Sequence, residues 1–317
     1  MPLKDYALDH RPLGTGGQAE VFPAKHRLSG MTVALKRLLH GADSEATARM
    51  RREIEAQQSI KSRHVMPVLE SAPDSTWYTM PVADAVLWDA PLPISDSELV
   101  EILQSCIAVL KTANRDGTGH LHRDITPRNI MRITWENDTR WVLADWGLVR
   151  RHRGQTTELR TRQNAAFGTE GFAGPEQSQD AHEADHRSEI YALGRVAAWA
   201  LTGTRPLPNL PLLPSGRWRS LVAKATDVDV QWRFQSWAEF ADALARVMQG
   251  PPETPLGRAR AALPGAQAGN VSAAQLILRL AAENPRWGTP VRCASRGPQG
   301  VHRRHGGLQP RRPDCRH

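Results

Sequence analysis

The chain has 317 residues, 40% of them hydrophobic, and a net charge of +8, enough length for one large domain or two small ones around a sizeable core. Its three cysteines, Cys106, Cys293 and Cys315, are far apart and form no C-x-x-C, which argues against a disulfide framework or a Cys-rich zinc site and suits a reducing cytoplasm. The first residues lack the apolar core of a signal peptide, and no run reaches the roughly 18 apolar residues of a membrane span.

In chain order, residues 8–38 read as strand, Gly-rich turn, strand, turn, strand. Residues 43–61 read as a helix, with Asp43 and Ser44 as caps and a run of Ala, Glu, Arg and Gln behind them. Residues 65–88 are strand-like and interrupted by Pro67, Pro73 and Pro81. A Pro-rich segment then leads to Asp96 and Ser97, the expected cap of a helix over 97–115, whose Leu99, Ile102, Leu103, Ile107 and Leu110 keep helical spacing. Residues 130–144 alternate around Glu136-Asn137-Asp138 and predict a hairpin. The chain is polar from 148 to Pro175, and further helices are expected over 188–202, 217–226 and 236–248. The apolar run Ile190–Leu201 is short and holds Arg195, so it reads as a buried helix.

Gln249-Gly250-Pro251-Pro252 closes the last of these helices. Residues 251–317 differ in character: eleven Arg and no Lys stand against Glu253, Glu283 and Asp314, so this stretch carries the whole charge excess and residues 1–250 are balanced. One short helix is expected at Ala273–Glu283, and disorder elsewhere in the tail. An arm that contacts nucleic acid or another polyanion is the alternative reading.

Two short motifs carry the chemistry. His122-Arg123-Asp124-Ile125-Thr126-Pro127-Arg128-Asn129 reads H-R-D-x-x-x-x-N, and Asp145-Trp146-Gly147 follows as D-W-G. The first resembles the catalytic loop of the protein kinases, and the second their metal-binding D-F-G with Trp for Phe. Phosphoryl transfer to a hydroxyl needs a carboxylate to take or orient the proton, and a carboxylate and an amide to hold Mg2+ on the phosphates. Asp124, Asp145 and Asn129 are those groups in order.

Other landmarks fall where this resemblance expects them. Leu13-Gly14-Thr15-Gly16-Gly17-Gln18-Ala19-Glu20-Val21 resembles the Gly-rich loop over the ATP phosphates, with Ala19 at the third Gly. Val33-Ala34-Leu35-Lys36 resembles the V-A-I-K strand, and Arg51-Arg52-Glu53 supplies the anion that would hold Lys36. Trp77-Tyr78-Thr79-Met80 leads to a hinge at Pro81-Val82-Ala83. There the resemblance implies that Met80 is the gatekeeper, that the Pro81 carbonyl and the Ala83 N–H meet adenine, and that Ala34 and Met131 form an apolar slot. Gly168-Thr169-Glu170-Gly171-Phe172-Ala173-Gly174-Pro175-Glu176 resembles G-T-x-x-Y-x-A-P-E, and Arg233 is the expected partner of Glu176. Arg187-Ser188-Glu189-Ile190-Tyr191-Ala192-Leu193-Gly194 resembles R-S-D-I-Y-S-L-G, with Glu189 in place of Asp.

The resemblance is to the eukaryotic-like serine/threonine protein kinases of bacteria. It implies an α+β, two-lobed kinase domain over 6–250, with an N-lobe to about residue 83 and a helical C-lobe over 84–250. It implies ATP with Mg2+ or Mn2+, protein substrates with Ser/Thr acceptors, autophosphorylation, and an activating phosphate at Thr161 or at Thr156 and Thr157. The implied catalytic set is Asp124, Lys36, Glu53, Asn129 and Asp145. Asn129 and Asp145 are its metal ligands, and Gly14, Gly16, Gly17, Val21, Ala34, Lys36, Met80, Pro81, Ala83 and Met131 surround the nucleotide. The departures are Thr126, where serine/threonine kinases carry Lys, together with Glu189 and Ala19. They make a pseudokinase, the same fold used as a binding module, the alternative.

Overall fold

The computed structural model describes residues 3–114, 120–147, 171–179 and 184–249, and beyond them 259, 263, 266, 267 and 271–283. Thr156, Thr157, Thr161 and Thr169, and most of the Arg-rich tail, lie outside the described residues.

The first part is a six-stranded antiparallel sheet with one helix. Its strands are β1 (Tyr6–Leu8), β2 (Gly14–Thr15), β3 (Ala19–His26), β4 (Thr32–Leu38), β5 (Glu70–Ser71) and β6 (Trp77–Met80), in the order β1-β3-β4-β6-β5, with β2 paired to β3. Strand β4 is central, so its inward residues Val33 and Leu35 are fully buried and Lys36 faces Tyr78 of β6 across the ladder. Helix α1 (Ser44–Ser59) starts where Asp43 accepts from the Ala46 N–H at 2.8 Å, as the sequence predicts. Its Met50 and Ile54 pack with Ala34, Met66, Tyr78 and Met80 of the sheet side. Of the strand-like stretch 65–88, only β5, β6 and β7 (Ala83–Val86) are strands, because the prolines interrupt the rest.

A second, three-stranded sheet joins β7 to the hairpin β8 (Ile130–Trp135) and β9 (Asp138–Leu143). Glu136 and Asn137 take positive φ, 53° and 61°, as a two-residue hairpin turn requires. Below it lie α2 (Asp96–Ala113), the short α3 (Pro175–Gln179), α4 (His186–Thr202), α5 (Arg219–Ala225) and α6 (Trp237–Gln249). The cap of α2 is Ser95, which accepts from the Glu98 N–H at 3.3 Å; Asp96 and Ser97 lie inside the first turn. The physical reason is position: only the residue before the first helical one has the extended backbone that lets its side chain reach back to the third N–H.

Helix α4 is buried along nearly its whole length and ends at Gly203, whose φ of 67° makes the left-handed C-cap that favours glycine. Arg195 is 1% exposed within it, and its guanidinium donates to the carbonyls of Gly171, Leu207 and Leu210 at 2.7–2.9 Å. The charge is thus satisfied by backbone rather than by a carboxylate.

Residues 253–317 form a separate compact unit from 1–252. Its described helix, α7 (Val271–Glu283), covers the expected segment with two further residues at its start. Among the described residues, no helix is long and apolar enough to cross a membrane.

Candidate active site

Strand β4 and helix α1 place a buried ion pair at the edge of the cleft. Lys36 Nζ donates to Glu53 Oε1 at 2.6 Å and Oε2 at 2.8 Å, and Glu53 is 2% exposed. Tyr78, directly opposite Lys36 in the ladder, donates its hydroxyl to Glu53 Oε1 at 2.7 Å. Glu53 therefore accepts three hydrogen bonds, two from Lys36 and one from Tyr78, which suits an ionised carboxylate out of water. Glu53 is thus the partner of Lys36, as the sequence predicts.

Lys36 Nζ also lies 3.5 Å from Asp145 Oδ1. Burial alone would lower the Lys36 pKa; the charges of Asp145 and Glu53 outweigh it and raise the value above the ordinary one. Asp145 shifts the other way. Burial favours its neutral form, yet Lys36 and Arg49 hold its pKa below the usual carboxylate range. Arg49 Nη2 is 4.0 Å from the same Oδ1, and a Cβ added at Gly147 would meet the Arg49 side chain at 2.9 Å. Sequence reasoning missed both Arg49 and Tyr78. Arg49 had a signal, since it precedes Glu53 by four residues and shares its helix face.

The catalytic-loop motif folds around His122, which is fully buried. Its Nε2 lies 2.9 Å from the Ala144 carbonyl and so donates, which leaves Nδ1 to accept from the Asp124 N–H at 3.3 Å. Burial lowers its pKa to about 4, so the ring is neutral. Its ring meets Trp146 edge to face at 4.7 Å. Trp146, in place of Phe, is completely buried and satisfies its indole N–H on the Leu143 carbonyl at 3.1 Å. Arg123 and Asp145 flank this packing with φ of 68° and 62°, conformations that cost energy for residues with side chains and concentrate at functional sites.

Asn129 Nδ2 donates to the Asp124 carbonyl at 2.7 Å and to its Oδ2 at 3.3 Å. Burial, then the nearby charge of Asp145, raises the Asp124 pKa to about 6, against the opposing pull of Arg49 and Asn129. Asp124 Oδ1 and Asp145 Oδ1 are both buried without a hydrogen-bond donor. Glu189 reaches this loop despite its extra methylene: Oε1 accepts from the His122 N–H and Oε2 from Asn114 Nδ2 at 3.1 Å. Burial raises its pKa to about 7. Arg128 is exposed, and its guanidinium lies over the Trp88 ring at 4.2 Å. Thr126 is only 5% exposed, and its carbonyl accepts from the Asn129 N–H.

Above the loop, Gly16 N–H donates to the Ala19 carbonyl at 2.8 Å and closes the turn between β2 and β3. No protein atom lies within 4 Å of a Cβ built at Gly14 or Gly17, so the space these glycines keep open is not filled by the protein itself. Behind the turn, Val21, Ala34, Met80, Ala83 and Met131 belong to one apolar cluster. Met80 and the adjacent Pro81 are buried, and Ala34 and Met80 are directly paired in the sheet.

This two-lobed fold, with a Lys–Glu pair above an H-R-D loop and an Asp-x-Gly turn, defines a protein kinase architecture. The chain belongs to the family described as "Protein kinase domain", whose model matches residues 8–251. It is 30% identical over 204 residues to the serine/threonine-protein kinase PknH of Mycobacterium tuberculosis, covering 62% of this chain and 31% of that protein. It is 32% identical over 212 residues to the serine/threonine-protein kinase PknF of the same species, covering 63% of this chain and 43% of that one. The chain thus spans a third to under a half of the length of these curated relatives. The crystal structure of the Mycobacterium tuberculosis PknI kinase domain superposes with a TM-score of 0.56 at 25% identity, over 78% of this chain and 98% of that one.

Proposed function

We propose that residues 6–250 form an active protein kinase that transfers the γ-phosphoryl group of ATP to Ser or Thr of proteins, itself included. The observation that carries this is the connected set Glu53–Lys36–Asp145 beside Asp124–Asn129, complete and joined by direct contacts. A pseudokinase has no need to keep all five. The curated relatives named as serine/threonine kinases support the acceptor type.

The apolar cluster of Val21, Ala34, Met80, Ala83 and Met131 suits a flat adenine ring between the lobes, with the Pro81 carbonyl and Ala83 N–H as its polar contacts. The Gly14–Gly17 turn suits phosphates that need close backbone approach. Lys36, held by Glu53, would contact the α- and β-phosphates. The Oδ1 of Asp145, buried without a hydrogen-bond donor, would with the Asn129 amide suit a hard divalent cation. Among the described residues no group of three or more His, Cys, Asp or Glu is placed to hold a metal, so such an ion would draw its other ligands from phosphates and water. Held by Asp145 and Asn129, Mg2+ or Mn2+ would supply positive charge to offset that of the phosphates.

Asp124 orients the acceptor hydroxyl and takes its proton. The hydroxyl oxygen forms the new bond to the γ-phosphorus, the bond to the β,γ-bridging oxygen breaks, and ADP leaves with that electron pair. With a pKa of about 6, Asp124 is ionised at neutral pH and ready to accept.

The test is intact mass before and after incubation with Mg-ATP, beside Asp124→Asn. The wild type should gain phosphate-sized mass increments, on itself or on an added protein, and the variant should gain none. Equal gain in both would sink the proposal.

A further inference from the structure

The kinase chemistry leaves one cluster beside the catalytic loop unused. Trp88, in the turn after β7, stacks on Trp199 of α4 with centroids 5.6 Å apart and planes 2° apart. Two arginines converge on it: Arg128 at 4.2 Å and Arg205 at 5.8 Å from the Trp88 ring centroid. Both guanidiniums are within cation–π reach of one ring. Both arginines are exposed, and among the described residues neither forms an ion pair with a carboxylate. Asp89, next to Trp88 in the chain, pairs with neither.

Two cations gathered without an anion repel each other, and a folded surface has no reason to hold them together unless something else gains. The rigid stack explains how they are held. Trp199 is 5% exposed within a buried helix, and the Trp88 N–H donates to the Pro127 carbonyl at 3.0 Å, so the platform is bolted to the catalytic loop itself. Arg128 and Asn129 are neighbours on that loop. Asn129 turns inward to Asp124, while Arg128 turns outward onto Trp88. Arg128 is four residues from Asp124 on this loop, so a peptide with its acceptor hydroxyl at Asp124, its residues about 3.3–3.6 Å apart when extended, would have flanking side chains that could reach the platform.

We propose that Arg128 and Arg205, held on Trp88, form a cationic platform that selects protein substrates with Asp or Glu within a few residues of the phosphorylated side chain. This rests on the kinase reading and adds the substrate class. Guanidiniums fix carboxylates in a preferred plane, so the platform favours acidic peptides by geometry as well as charge. A purely structural role, in which the two stems shield Trp88 and Arg205 complements the C-terminal end of α4, leaves no preference among peptides.

The test uses the full chain with Mg-ATP and two fluorescent peptides. They are identical around a Ser/Thr acceptor except that one carries Glu and the other Gln at the flanking positions. Initial rates give kcat/KM, and anisotropy gives the peptide Kd separately. The Glu peptide should win by about tenfold in both readouts at low salt, and the ratio should shrink as salt rises. Arg128→Gln with Arg205→Gln should bring the ratio close to one, and the corresponding double Lys replacement should retain much of it. Arg205→Gln alone, at an exposed loop position, gives a partial loss if the double variant does not fold. Equal use of both peptides by the wild type, or a preference that survives both Gln replacements, overturns the proposal. A Kd preference without any phosphate transfer would leave the platform standing and count against the kinase reading instead.

Discussion

Arg233 grips Glu176 with both ends of its guanidinium, Nη1 to Oε1 at 2.7 Å and Nη2 to Oε2 at 2.8 Å. The Arg233 side chain is wholly inaccessible, and it also donates to the Asp227 carbonyl at 2.7 Å and lies over the Tyr191 ring at 4.7 Å. The pair ties α3 to the turn before α6 and touches neither Lys36 nor Asp145. Its loss is therefore a stability effect. Arg233→Ala should cost about 3–5 kcal/mol, because it strands a partly buried carboxylate, and lower Tm by roughly ten degrees. Thermal unfolding of the two proteins checks this. Burial would raise the Glu176 pKa, but Arg233 and other donors hold it below the usual range. Its contribution is present above the ordinary carboxylate pKa and fades as pH falls through the lowered one, so the gap between the two proteins should narrow in acid.

Lys36→Met and Asp145→Ala should each lower kcat/KM on the order of 10²–10³-fold or more, since preorganised charge supplies most of the rate in phosphoryl transfer. Lys36 is shared between Glu53 and Asp145, so the two losses should be less than additive in the double variant. Radiolabel transfer from Mg-ATP measures all three, with circular dichroism to verify folding. Wild-type rates in either single variant would contradict the assigned roles.

The Asp124 carboxyl must be ionised to accept a proton, and burial has lifted its pKa to about 6. In the free enzyme kcat/KM should therefore be level above pH 7 and fall about tenfold per unit below 6. The sign for stability is opposite to that of Glu176. A folded pKa above the unfolded one means that the native state binds the extra proton between roughly 4 and 6, so this group favours the fold less as pH rises through that window. Asp124→Asn should remove both the activity and this slope. A rate profile flat to pH 5 would show that Asp124 is not the titrating base.

Thr126 supplies a hydroxyl where related kinases carry an ammonium. The missing charge-assisted contact is worth roughly 1.5–3 kcal/mol, or about tenfold to a hundredfold in rate. Thr126→Lys should raise kcat by about tenfold. Because Thr126 is 5% exposed, the longer chain must lead its ammonium out toward the cleft, and a Tm a few degrees lower should accompany the gain. Steady-state kinetics with a protein acceptor decide the matter. A lower kcat in a folded variant would mean that Thr126 belongs to a rearranged site.

Much of this molecule is written locally. The Asp43 cap, the 130–144 hairpin and the α4 run followed by Gly203 depend on neighbours within a few residues, so periodicity and turn chemistry reveal them. Lys36, Glu53, Asp124, Asn129 and Asp145 each sit in a short ordered motif, which is what the sequence offers of the proposed site, and only the folded chain brings Lys36 to 3.5 Å from Asp145. The misplaced α2 cap was a matter of one residue, where Ser95, Asp96 and Ser97 are chemically interchangeable and only the backbone decides. The rest was settled by tertiary packing. Tyr78 reaches Glu53 because β4 and β6 pair in one register, and Arg49 reaches Asp145 because α1 lies over the Asp-x-Gly turn. Asn114 and His122 accommodate the longer Glu189, and Trp88 gathers Arg128 from the catalytic loop and Trp199 and Arg205 from the end of α4 and beyond. Such contacts join side chains far apart in sequence, and no local pattern encodes them, because their energy exists only once the intervening chain has folded around a common core.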